Sequence, residues 1–573
     1  MLACSQTGKG YGMTEQGQFP RVITNLTHGG HAILDSAEEA EKTAQTQESL
    51  STRSSVVQES TDVAAHVGTT AFDYLFPDLA KKFPDNHLPK DDVAKVVKAL
   101  LALGTAIVET PAEVRDPDLN SPIPPIYTYW GQFVDHDLTA ATDRDLVINI
   151  TDENLPPVPP DEVVKKLANL RIPSLNLDSV YGDGPFVAPA PGKDAVPYDG
   201  IKLRLGLLTP VPVTLGVLIP PVDDTQRDLP RNDERTPLVG DTRNDENLVV
   251  AQLHVAFLRF HNAAVDWVRD NEPEFESDPE IFRRARDLTR WTYQWLCVHD
   301  YLHTVARPDI VDRVDTAEGN LLDLDRRGLY MPIEFSVAAF RFGHSMVRGA
   351  YDWNRNFGRP GDRSPVATLA QLFQFTGRGG LADLPTLPSN WPVEWDRMVD
   401  KNSPFANRFA RLIDIRLAPP LSDLPNEGND LSLAERIRKL LKQLAQRNLL
   451  RGYRLSAPTG QAVARALGVT PLSRAELEQD SSDKVKEALA AAGLFDRTPL
   501  WFYVLKEAEV RELGRRLGEV GSRIVAETII GQIRKDPGSY VNRTSWSPAQ
   551  GVLLPNGRPV RTIADFLRFA GVL

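Results

Sequence analysis

The stretch most able to do chemistry sets one histidine between two aspartates in an otherwise apolar segment, residues 129–138. On a helix that advances about 100° per residue, Gln132 and His136 share one face. Asp135 then lies beside them, and Asp137 is rotated away. A buried carboxylate without compensation costs several kcal/mol, so each aspartate needs a cation, hydrogen-bond donors or a covalent partner. A half-exposed helix end with a solvated charge pair is the alternative interpretation.

The other histidines differ in how well their surroundings suit a ligand. His344 lies in the run Phe-Arg-Phe-Gly-His-Ser-Met-Val, whose small and apolar neighbours would admit a flat group. A core histidine is the alternative there. His254 and His261 are seven residues apart, and His299 and His303 are four apart, a spacing that can chelate a metal. We predict structural roles for both pairs, because helical histidines usually satisfy a hydrogen bond.

Composition narrows the class of protein. The chain has 573 residues, a formal net charge of −12 and a sequence pI of about 5.5, which argues against nucleic acid or an anionic membrane as the main partner. The apolar stretch at 209–222 is broken by prolines and falls short of the roughly 20 residues that span a bilayer, so no transmembrane helix is expected. Two cysteines, Cys4 and Cys297, exclude a disulfide framework. No signal peptide is visible, so we expect a cytoplasmic protein or export without a recognisable signal.

Helical spacing of apolar residues dominates from residue 66 onwards. We therefore predict a mainly α fold, one large helical domain over residues 66–573 with few short strands. The polar, biased residues 1–65 predict a disordered tail. Asp91 or Asp92 is expected to cap the first helix and Gly104 to close it. The apolar stripes run over Val93–Leu101, Leu253–Phe260, Leu288–Leu302, Leu433–Leu444 and Ile563–Leu567.

Together these segments resemble the animal-type haem peroxidases, the peroxidase–cyclooxygenase superfamily, in a bacterial-looking version, from about residue 66 to the C-terminus. The motif Trp-Gly-Gln-Phe-Val-Asp-His-Asp-Leu resembles the family's distal helix. The resemblance implies His136 as the distal base and Gln132 beside the peroxide and halide site. It also implies Asp135 as a carboxylate that can esterify a haem methyl group, and Asp137 as a calcium ligand.

The motif Gly-Asp-Thr-Arg-Asn-Asp-Glu resembles the family segment that carries a distal arginine and a second ester-forming acid. The resemblance assigns these roles to Arg243 and Glu246. Family members with a third link, a sulfonium bond, have a methionine directly after that glutamate. Asn247 occupies that position here, so the sulfonium bond is expected to be absent and the haem to be less strongly oxidising.

The motif Arg-Phe-Gly-His-Ser-Met-Val resembles the proximal motif, which implies His344 as the ligand of the haem iron and Arg341 near a propionate. The run Asn-Leu-Leu-Arg-Gly matches the family's accompanying helix. Asn448 would accept a hydrogen bond from the Nδ1–H of His344, and Arg451 would face a propionate.

Oxygen-bearing side chains alternate with apolar ones before Val-Tyr-Gly, a pattern that suits a hard cation. The resemblance implies a calcium site formed by Asp137, Ser174, Asn176 and Asp178. The Asn176 amide replaces a carboxylate of the family, which Asp178 partly offsets, so the site is expected to be weaker. Ligands with oxygen alone favour calcium over softer metals.

These residue types agree with peroxide chemistry. A neutral imidazole can take a proton from bound peroxide and return it to the departing oxygen. A fixed guanidinium stabilises the developing negative charge, commonly by about 3 kcal/mol. With the haem b that the resemblance implies, which Asp135 and Glu246 can link through esters, we predict a peroxidase. It would use hydrogen peroxide to oxidise bromide, iodide, thiocyanate and phenol-like donors through a high-valent oxo-iron intermediate.

Two alternatives stay open. A fatty-acid dioxygenase of the same superfamily would need a radical-forming tyrosine three residues before the proximal histidine, where this chain has Arg341. A catalytically inactive haem-binding interaction module is the other alternative. Such a module would have no chemical need for His136, Arg243 and His344 together.

Overall fold

A computed structural model describes most of the chain from residue 70 onwards. Of the predicted tail, it describes two short strands alone, and the rest of residues 1–65 lies outside the described residues. The described ranges are 26–27, 31–32, 70–143, 150, 155–186, 195–211, 224–316, 321–322, 328–358, 365–543 and 545–573.

Helices form about 50% of the described chain and its strands are few and short, which confirms the predicted fold class. The α-helices are α1 (Pro77–Lys81), α2 (Val93–Ala106), α3 (Pro111–Val114), α4 (Ile126–Leu138), α5 (Pro160–Lys166), α6 (Asp178–Tyr181), α7 (Leu248–Asn271), α8 (Asp278–Leu296), α9 (His303–Val305), α10 (Pro308–Asp315), α11 (Ile333–Val337), α12 (Leu369–Gln374), α13 (Asp396–Val399), α14 (Glu435–Lys442), α15 (Leu444–Arg454), α16 (Gly460–Ala466), α17 (Arg474–Glu478), α18 (Asp483–Ala491), α19 (Leu500–Glu512), α20 (Glu519–Lys535) and α21 (Ile563–Phe569). A π-helix, Cys297–Leu302, continues α8, and 3₁₀ turns occur at Pro117–Leu119, Thr242–Asp245, Ala339–His344, Gly380–Asp383, Ala406–Arg408, Pro419–Ser422, Tyr540–Asn542 and Pro548–Gln550.

The strands are short. They are β1 (Leu26–Thr27), β2 (His31–Ala32), β3 (Thr70–Asp73), β4 (Ala141–Asp143), β5 (Leu167–Asn169), β6 (Tyr198–Asp199), β7 (Lys202–Leu203), β8 (Tyr330–Pro332), β9 (Ala350–Tyr351) and β10 (Ala367–Thr368). Six of them form one sheet in the order β1-β2-β4-β5-β3-β8, in which β2 pairs β4 and β3 pairs β8 in parallel. Phe72 lies opposite Met331 in this sheet, and both side chains are fully buried.

The first end of α2 agrees with the sequence pattern, and its last end does not. Asp92 caps the helix, because its side chain accepts a hydrogen bond from the backbone N–H of Lys95 at 3.0 Å. The expectation that Gly104 closes α2 is wrong, since the helix continues to Ala106. A Cβ at Gly104 would lie 2.9 Å from the side chain of Gln446 on α15. The glycine therefore permits two helices to approach closely.

The stripe predicted from Leu433 to Leu444 is two helices instead of one. The chain breaks at Gln443, where φ is −96° and ψ is 90°, so α14 and α15 take separate directions. α15 packs against α2 and α19.

Aromatic packing fixes α4 against α7. Phe133 stacks on Phe257 with ring centroids 4.2 Å apart, and Trp130 contacts Phe257, Tyr293 and Phe566. All five side chains are fully buried. Truncation of one such ring typically costs about 3–5 kcal/mol, so α4 is a rigid support for its polar side chains.

α7 is a core helix by its burial. Among the residues that the structure describes, it is the one helix long and apolar enough to pass a length and composition test for a membrane span. Its apolar window is 83% buried inside the protein, which is what a core helix shows, so the test is weak evidence for a span.

His261 on α7 has the structural role predicted for it. Its Nε2 lies 3.1 Å from the carbonyl oxygen of Ile201 and its Nδ1 lies 3.1 Å from the hydroxyl of Tyr181. A carbonyl can only accept, so Nε2 carries the proton and Nδ1 accepts from the tyrosine. Burial lowers the pKa of His261 to about 4.

The lowered pKa of His261 predicts a pH dependence of stability. Its neutral form contributes stability above the ordinary pKa of 6.5, and that contribution is lost as the pH falls towards about 4, because only the unfolded chain binds the proton in that window. Within that window, each pH unit lowers the free energy of unfolding by about 1.4 kcal/mol for one such histidine. We expect His261→Gln to flatten the fall in unfolding free energy between pH 6.5 and 4 by up to about 3 kcal/mol. Urea denaturation measures this, and equal slopes in both proteins would contradict it.

Candidate functional site

A cavity lies between α4 and the 3₁₀ turn that ends at His344. Phe340, Phe342 and Leu369 supply apolar walls. Residues singled out from three separate sequence motifs line it together: Gln132, Asp135, His136, Glu246, Asn247, Arg341 and His344.

The orientation of His136 is set by a buried asparagine. Nδ1 of His136 lies 2.8 Å from Oδ1 of Asn244, and Nδ2 of Asn244 lies 2.9 Å from Nδ1 of His254. Because an amide oxygen only accepts, His136 carries its proton on Nδ1 and keeps Nε2 without one. Burial lowers the pKa of His254 to about 3, so this histidine stays neutral and accepts from the amide. The chain of contacts leaves His136 with a basic nitrogen.

Asn244 and His254 are missing from the residues predicted for the site. His254 was assigned a structural role, and its bond to Asn244 makes it part of the support of His136 instead. Asn244 directly follows Arg243, so its place in the motif was a signal that could have been used. The hydrogen bond between Asn244 and His254 joins the 3₁₀ turn at Thr242–Asp245 to α7, and no feature of the local sequence indicates it.

The basic nitrogen of His136 faces an acid. Nε2 of His136 lies 3.5 Å from Oε1 of Glu246, and the amide nitrogen of Gln132 donates to the same oxygen. Asn247 donates to Oε1 of Gln132 at 3.0 Å and also caps α7, where its Oδ1 accepts from Val250 N–H at 3.0 Å. Asn247 therefore begins a core helix and orients the amide beside His136.

Arg243 is not a cavity-lining residue, which differs from its expected position beside peroxide. Its Nη2 lies 2.6 Å from Oδ2 of Asp241 and donates to the carbonyl oxygens of His136 at 3.1 Å and Thr139 at 2.8 Å. Its Nη1 is buried without a hydrogen-bond partner in the described chain. Burial alone would raise the pKa of Asp241, but the guanidinium groups of Arg243 and Arg171 outweigh burial and hold it well below its usual range. The charge of Arg243 is thus matched within the protein.

The amide beside His344 is turned the opposite way from the prediction. Nδ2 of Asn448 lies 2.8 Å from Nδ1 of His344, and Oδ1 of Asn448 accepts from Nη1 of Arg341 at 3.2 Å. In this arrangement Nδ1 of His344 is the acceptor and the ring proton is on Nε2. A histidine that binds a metal through Nε2 needs the proton on Nδ1, and hence a half turn of the Asn448 amide.

Positive charge is in excess at one edge of the site. Burial lowers the pKa of Arg341 to about 10 and that of Arg451 well below its usual range, and repulsion from Arg447 adds to both shifts. Nε and Nη1 of Arg451 have no hydrogen-bond partner in the described part of the chain. Glu427 brings a carboxylate within 3.8 Å of Arg447, and Asp135 acts on Arg341. Three buried guanidinium groups exceed these charges, so the edge suits a ligand with carboxylates.

Asp137 is on α4, is fully buried and is not among the residues that line the cavity. Its oxygens accept from the backbone N–H of Leu177 at 3.1 Å and the hydroxyl of Ser179 at 3.3 Å. Burial raises the pKa of Asp178 to about 7, with the Arg171 guanidinium opposing the rise and Asp137 adding to it. Oδ2 of Asp178 is buried and has no hydrogen-bond partner among the described residues.

The remaining residues predicted for calcium have partners within the protein. The carbonyl oxygen of Ser174 accepts from Gln294 at 3.1 Å, and Oδ1 of Asn176 accepts from the N–H of Asp178 at 3.3 Å. Within the described ranges, no group of three or more histidine, cysteine or acidic residues could hold a metal ion.

A family model and curated relatives match parts of the chain. A model of the animal haem peroxidase family matches residues 202–375, which include Arg243, Glu246, Arg341 and His344 but neither α4 nor α15. Dual oxidase of Drosophila melanogaster is 31% identical over 114 residues, 20% of this chain and 7% of that protein. Peroxidase mlt-7 of Caenorhabditis elegans is 24% identical over 249 residues, 39% of this chain and 33% of that protein. The matched regions thus span a third or less of these relatives.

Solved structures share the fold over most of the chain. Peroxidase A of Dictyostelium discoideum superposes with a TM-score of 0.52 and 15% identity, covering 86% of this chain and 96% of that one. A fatty acid alpha-dioxygenase of Oryza sativa gives a TM-score of 0.52 and 15% identity, with coverage of 87% and 77%. At this identity the likeness shows the fold alone, and the fold is common to a peroxidase and a dioxygenase.

Asn244→Leu tests the support of His136. We expect ¹⁵N-histidine NMR to show that His136 loses its preference for the Nδ1–H form, with a loss of about 1–3 kcal/mol in unfolding free energy, because two buried imidazoles lose a partner. Asn169→Leu is the matched control: Asn169 is also buried and holds the end of α4 through Leu138 O and Ala140 N, without touching His136. An Nδ1–H signal that persists in Asn244→Leu would show this support to be wrong.

Proposed function

We propose that this chain, which matches the animal haem peroxidase family over residues 202–375, is a peroxidase that binds haem b and reduces hydrogen peroxide. The observation that carries the proposal is one cavity lined by two imidazoles from separate elements, His136 on α4 and His344 on the 3₁₀ turn. One imidazole can hold an iron porphyrin while the other handles protons beside it.

The residues around the cavity fit haem, whose two propionates are carboxylates. Arg341 lines the cavity, and Arg451 behind it has two buried nitrogens without partners in the described chain. His344 would hold the iron through Nε2, and the two arginines would bind the propionates. The bound iron supplies the redox chemistry that side chains lack.

With haem bound, His344 would hold the iron through Nε2, and the Asn448 amide would be turned by half so that its oxygen accepts from Nδ1–H of His344. Arg341, which donates to Oδ1 of Asn448 at 3.2 Å, would then donate to a propionate. A neutral amide raises the basicity of the imidazole less than a carboxylate would.

His136 is the proposed base. Asn244 holds the proton on Nδ1, so Nε2 is the nitrogen that takes a proton from peroxide and returns it to the departing oxygen. Gln132 lies one helical turn before His136 on α4, and its side chain lines the same cavity. Arg243 contributes by holding the end of α4 and by its charge at a distance, since its Nε and Nη2 donate to Asp241 and to the carbonyl oxygens of His136 and Thr139.

Asp135 and Glu246 are the proposed ester-forming acids, and both line the cavity. Nε2 of His136 and Oε1 of Glu246 are 3.5 Å apart, and two acceptors at this distance repel when neither holds a proton. An ester at Glu246 removes its negative charge. Nε2 of His136 is then available for proton transfer.

Haem loading tests the central proposal. The holoprotein is expected to show a Soret band and to oxidise bromide and phenols with peroxide, with chloride much slower because Asn247 stands where a sulfonium link would need methionine. His344→Ala should lose most of the Soret band, whereas His303→Ala, a control histidine bonded to Asp312 at 2.9 Å, should keep it. Absence of a Soret band in the wild type would favour an interaction module.

Acid extraction of haem tests the ester proposal. After treatment with peroxide, the wild-type protein should retain its haem, and mass spectrometry should locate it on Asp135 and Glu246. Asp135→Val should retain a single link through Glu246. Haem that is extracted freely from the treated wild type would show the ester assignment to be wrong.

A fatty-acid dioxygenase is a second candidate, because the rice enzyme shares the fold. The residue three positions before His344 is Arg341, which donates to Ser336 O at 2.9 Å and to Asn448 and offers no phenol. Oxygen uptake with palmitic acid in the absence of peroxide would favour this candidate over the peroxidase.

We also propose that Ca²⁺ binds beside Asp137 and Asp178. The raised pKa of Asp178 and its buried, unpartnered Oδ2 in the described structure support a cation there. A calcium-dependent rise in melting temperature that Asp178→Asn fails to abolish would place the ion elsewhere.

A further inference from the structure

Tyr127 connects the cavity to a buried carboxylate outside it. The residue lies on α4 and lines the same cavity as His136 and His344. Its hydroxyl donates to Oδ1 of Asp300 at 2.7 Å. Asp300 is not a cavity-lining residue and belongs to the π-helix that continues α8, an insertion that is frequent at functional sites.

Asp300 in turn contacts a cation at the surface. The side chain of Asp300 is 7% exposed, and its Oδ2 accepts from the N–H of Ile563 at 2.8 Å. Nζ of Lys401 lies 3.3 Å from Oδ1 of Asp300 and 4.8 Å from the ring centroid of Tyr127. Because the Lys401 side chain is 49% exposed, contacts run without a gap from the cavity to solvent.

The partner of Tyr127 distinguishes it from Tyr129. Tyr129 and Tyr301 also line the cavity, but Tyr129 donates to the hydroxyl of Tyr351 at 2.8 Å, which is not a base. Tyr127 donates to a carboxylate. Burial raises the pKa of Tyr127, and the charge and hydrogen bond of Asp300 raise it further, so the phenol is protonated at neutral pH. Loss of an electron from this ring therefore requires a proton acceptor, and Asp300 is within reach.

We propose that Tyr127 and Asp300 form a redox relay through which donors too large for the cavity are oxidised at the surface beside Lys401. The proposal rests on the proposed haem peroxidase function, which supplies hydrogen peroxide as the oxidant. Donors with phenol rings and negative charge suit the ammonium group of Lys401.

The relay balances in protons and electrons. The O–H bond of Tyr127 breaks as its proton moves to Oδ1 of Asp300 and one electron moves to the haem that peroxide has oxidised. A donor at the surface then gives one electron to the phenoxyl radical, and Asp300 returns the proton. Two such cycles supply two electrons, which together with the two protons released by the oxidised phenol donors convert one hydrogen peroxide to two molecules of water.

The test uses the holoprotein treated with peroxide. Freeze-quench EPR is expected to show a tyrosyl radical in the wild type, and peptide mapping of a nitroso spin-trap adduct is expected to locate it on Tyr127. Tyr127→Phe and Asp300→Asn should each weaken the signal about tenfold or more, because one removes the phenol and the other the proton acceptor. Asp300→Asn keeps an oxygen for Ile563 N–H, so it remains informative if the first variant folds poorly.

A second measurement compares donors of different size. The ratio of the rate with a polymer-linked phenol to the rate with iodide should fall about tenfold in both variants. Tyr198→Phe is the matched control, since the hydroxyl of Tyr198 donates to the backbone carbonyl of Tyr181 at 2.7 Å where that of Tyr127 donates to a carboxylate. This control should keep both the signal and the ratio.

The outcomes separate the two proposals. Iodide oxidation by the wild type together with an unchanged ratio and radical signal in Tyr127→Phe would overturn the relay alone. A spin-trap adduct on Tyr129 or Tyr301 in place of Tyr127 would do the same. Absence of peroxide-driven iodide oxidation in the wild type would overturn the peroxidase, and the relay with it.

Discussion

The pairing of buried charges is the constraint on which the site depends. Asp241 lies 2.6 Å from both Arg171 and Arg243, and all three side chains are at most 1% exposed. Loss of one partner from such a group leaves a buried charge uncompensated, at a cost of several kcal/mol. Through Arg243 the same group binds the carbonyl oxygens of His136 and Thr139 and so holds the end of α4. Charge pairing thus fixes the helix that carries the proposed base.

The opposite edge of the cavity is built differently. Arg341, Arg447 and Arg451 are buried together, and the carboxylates of Glu427 and Asp135 do not match their charge. Excess positive charge at this edge directs an anionic ligand to it. The two sides of the site therefore have separate tasks: one sets the geometry of His136, and the other recognises carboxylates.

Hydrogen bonds between neutral side chains orient His136 and Gln132 within the site. Asn244 and His254 fix the proton of His136 on Nδ1, and Asn247 orients Gln132 while it caps α7. His254 and Asn247 both belong to α7 or its cap, and α7 supports α4 through stacked aromatic rings. Because these contacts come from a core helix, they hold His136 in a fixed orientation, which a site for proton transfer requires.

The sequence by itself determined the fold class and the residues on the cavity face of α4, because helical periodicity is a local property. Gln132, Asp135 and His136 line the cavity as their spacing predicts. The tertiary structure decided which partners these residues meet. His136 and Asn244 are 108 residues apart, and Tyr127 and Asp300 are 173 apart. No short stretch of sequence encodes such contacts. Only the packing of separate helices decided how His136 is supported, where Arg243 lies and how the Asn448 amide is oriented. The same packing explains why α2 continues past Gly104.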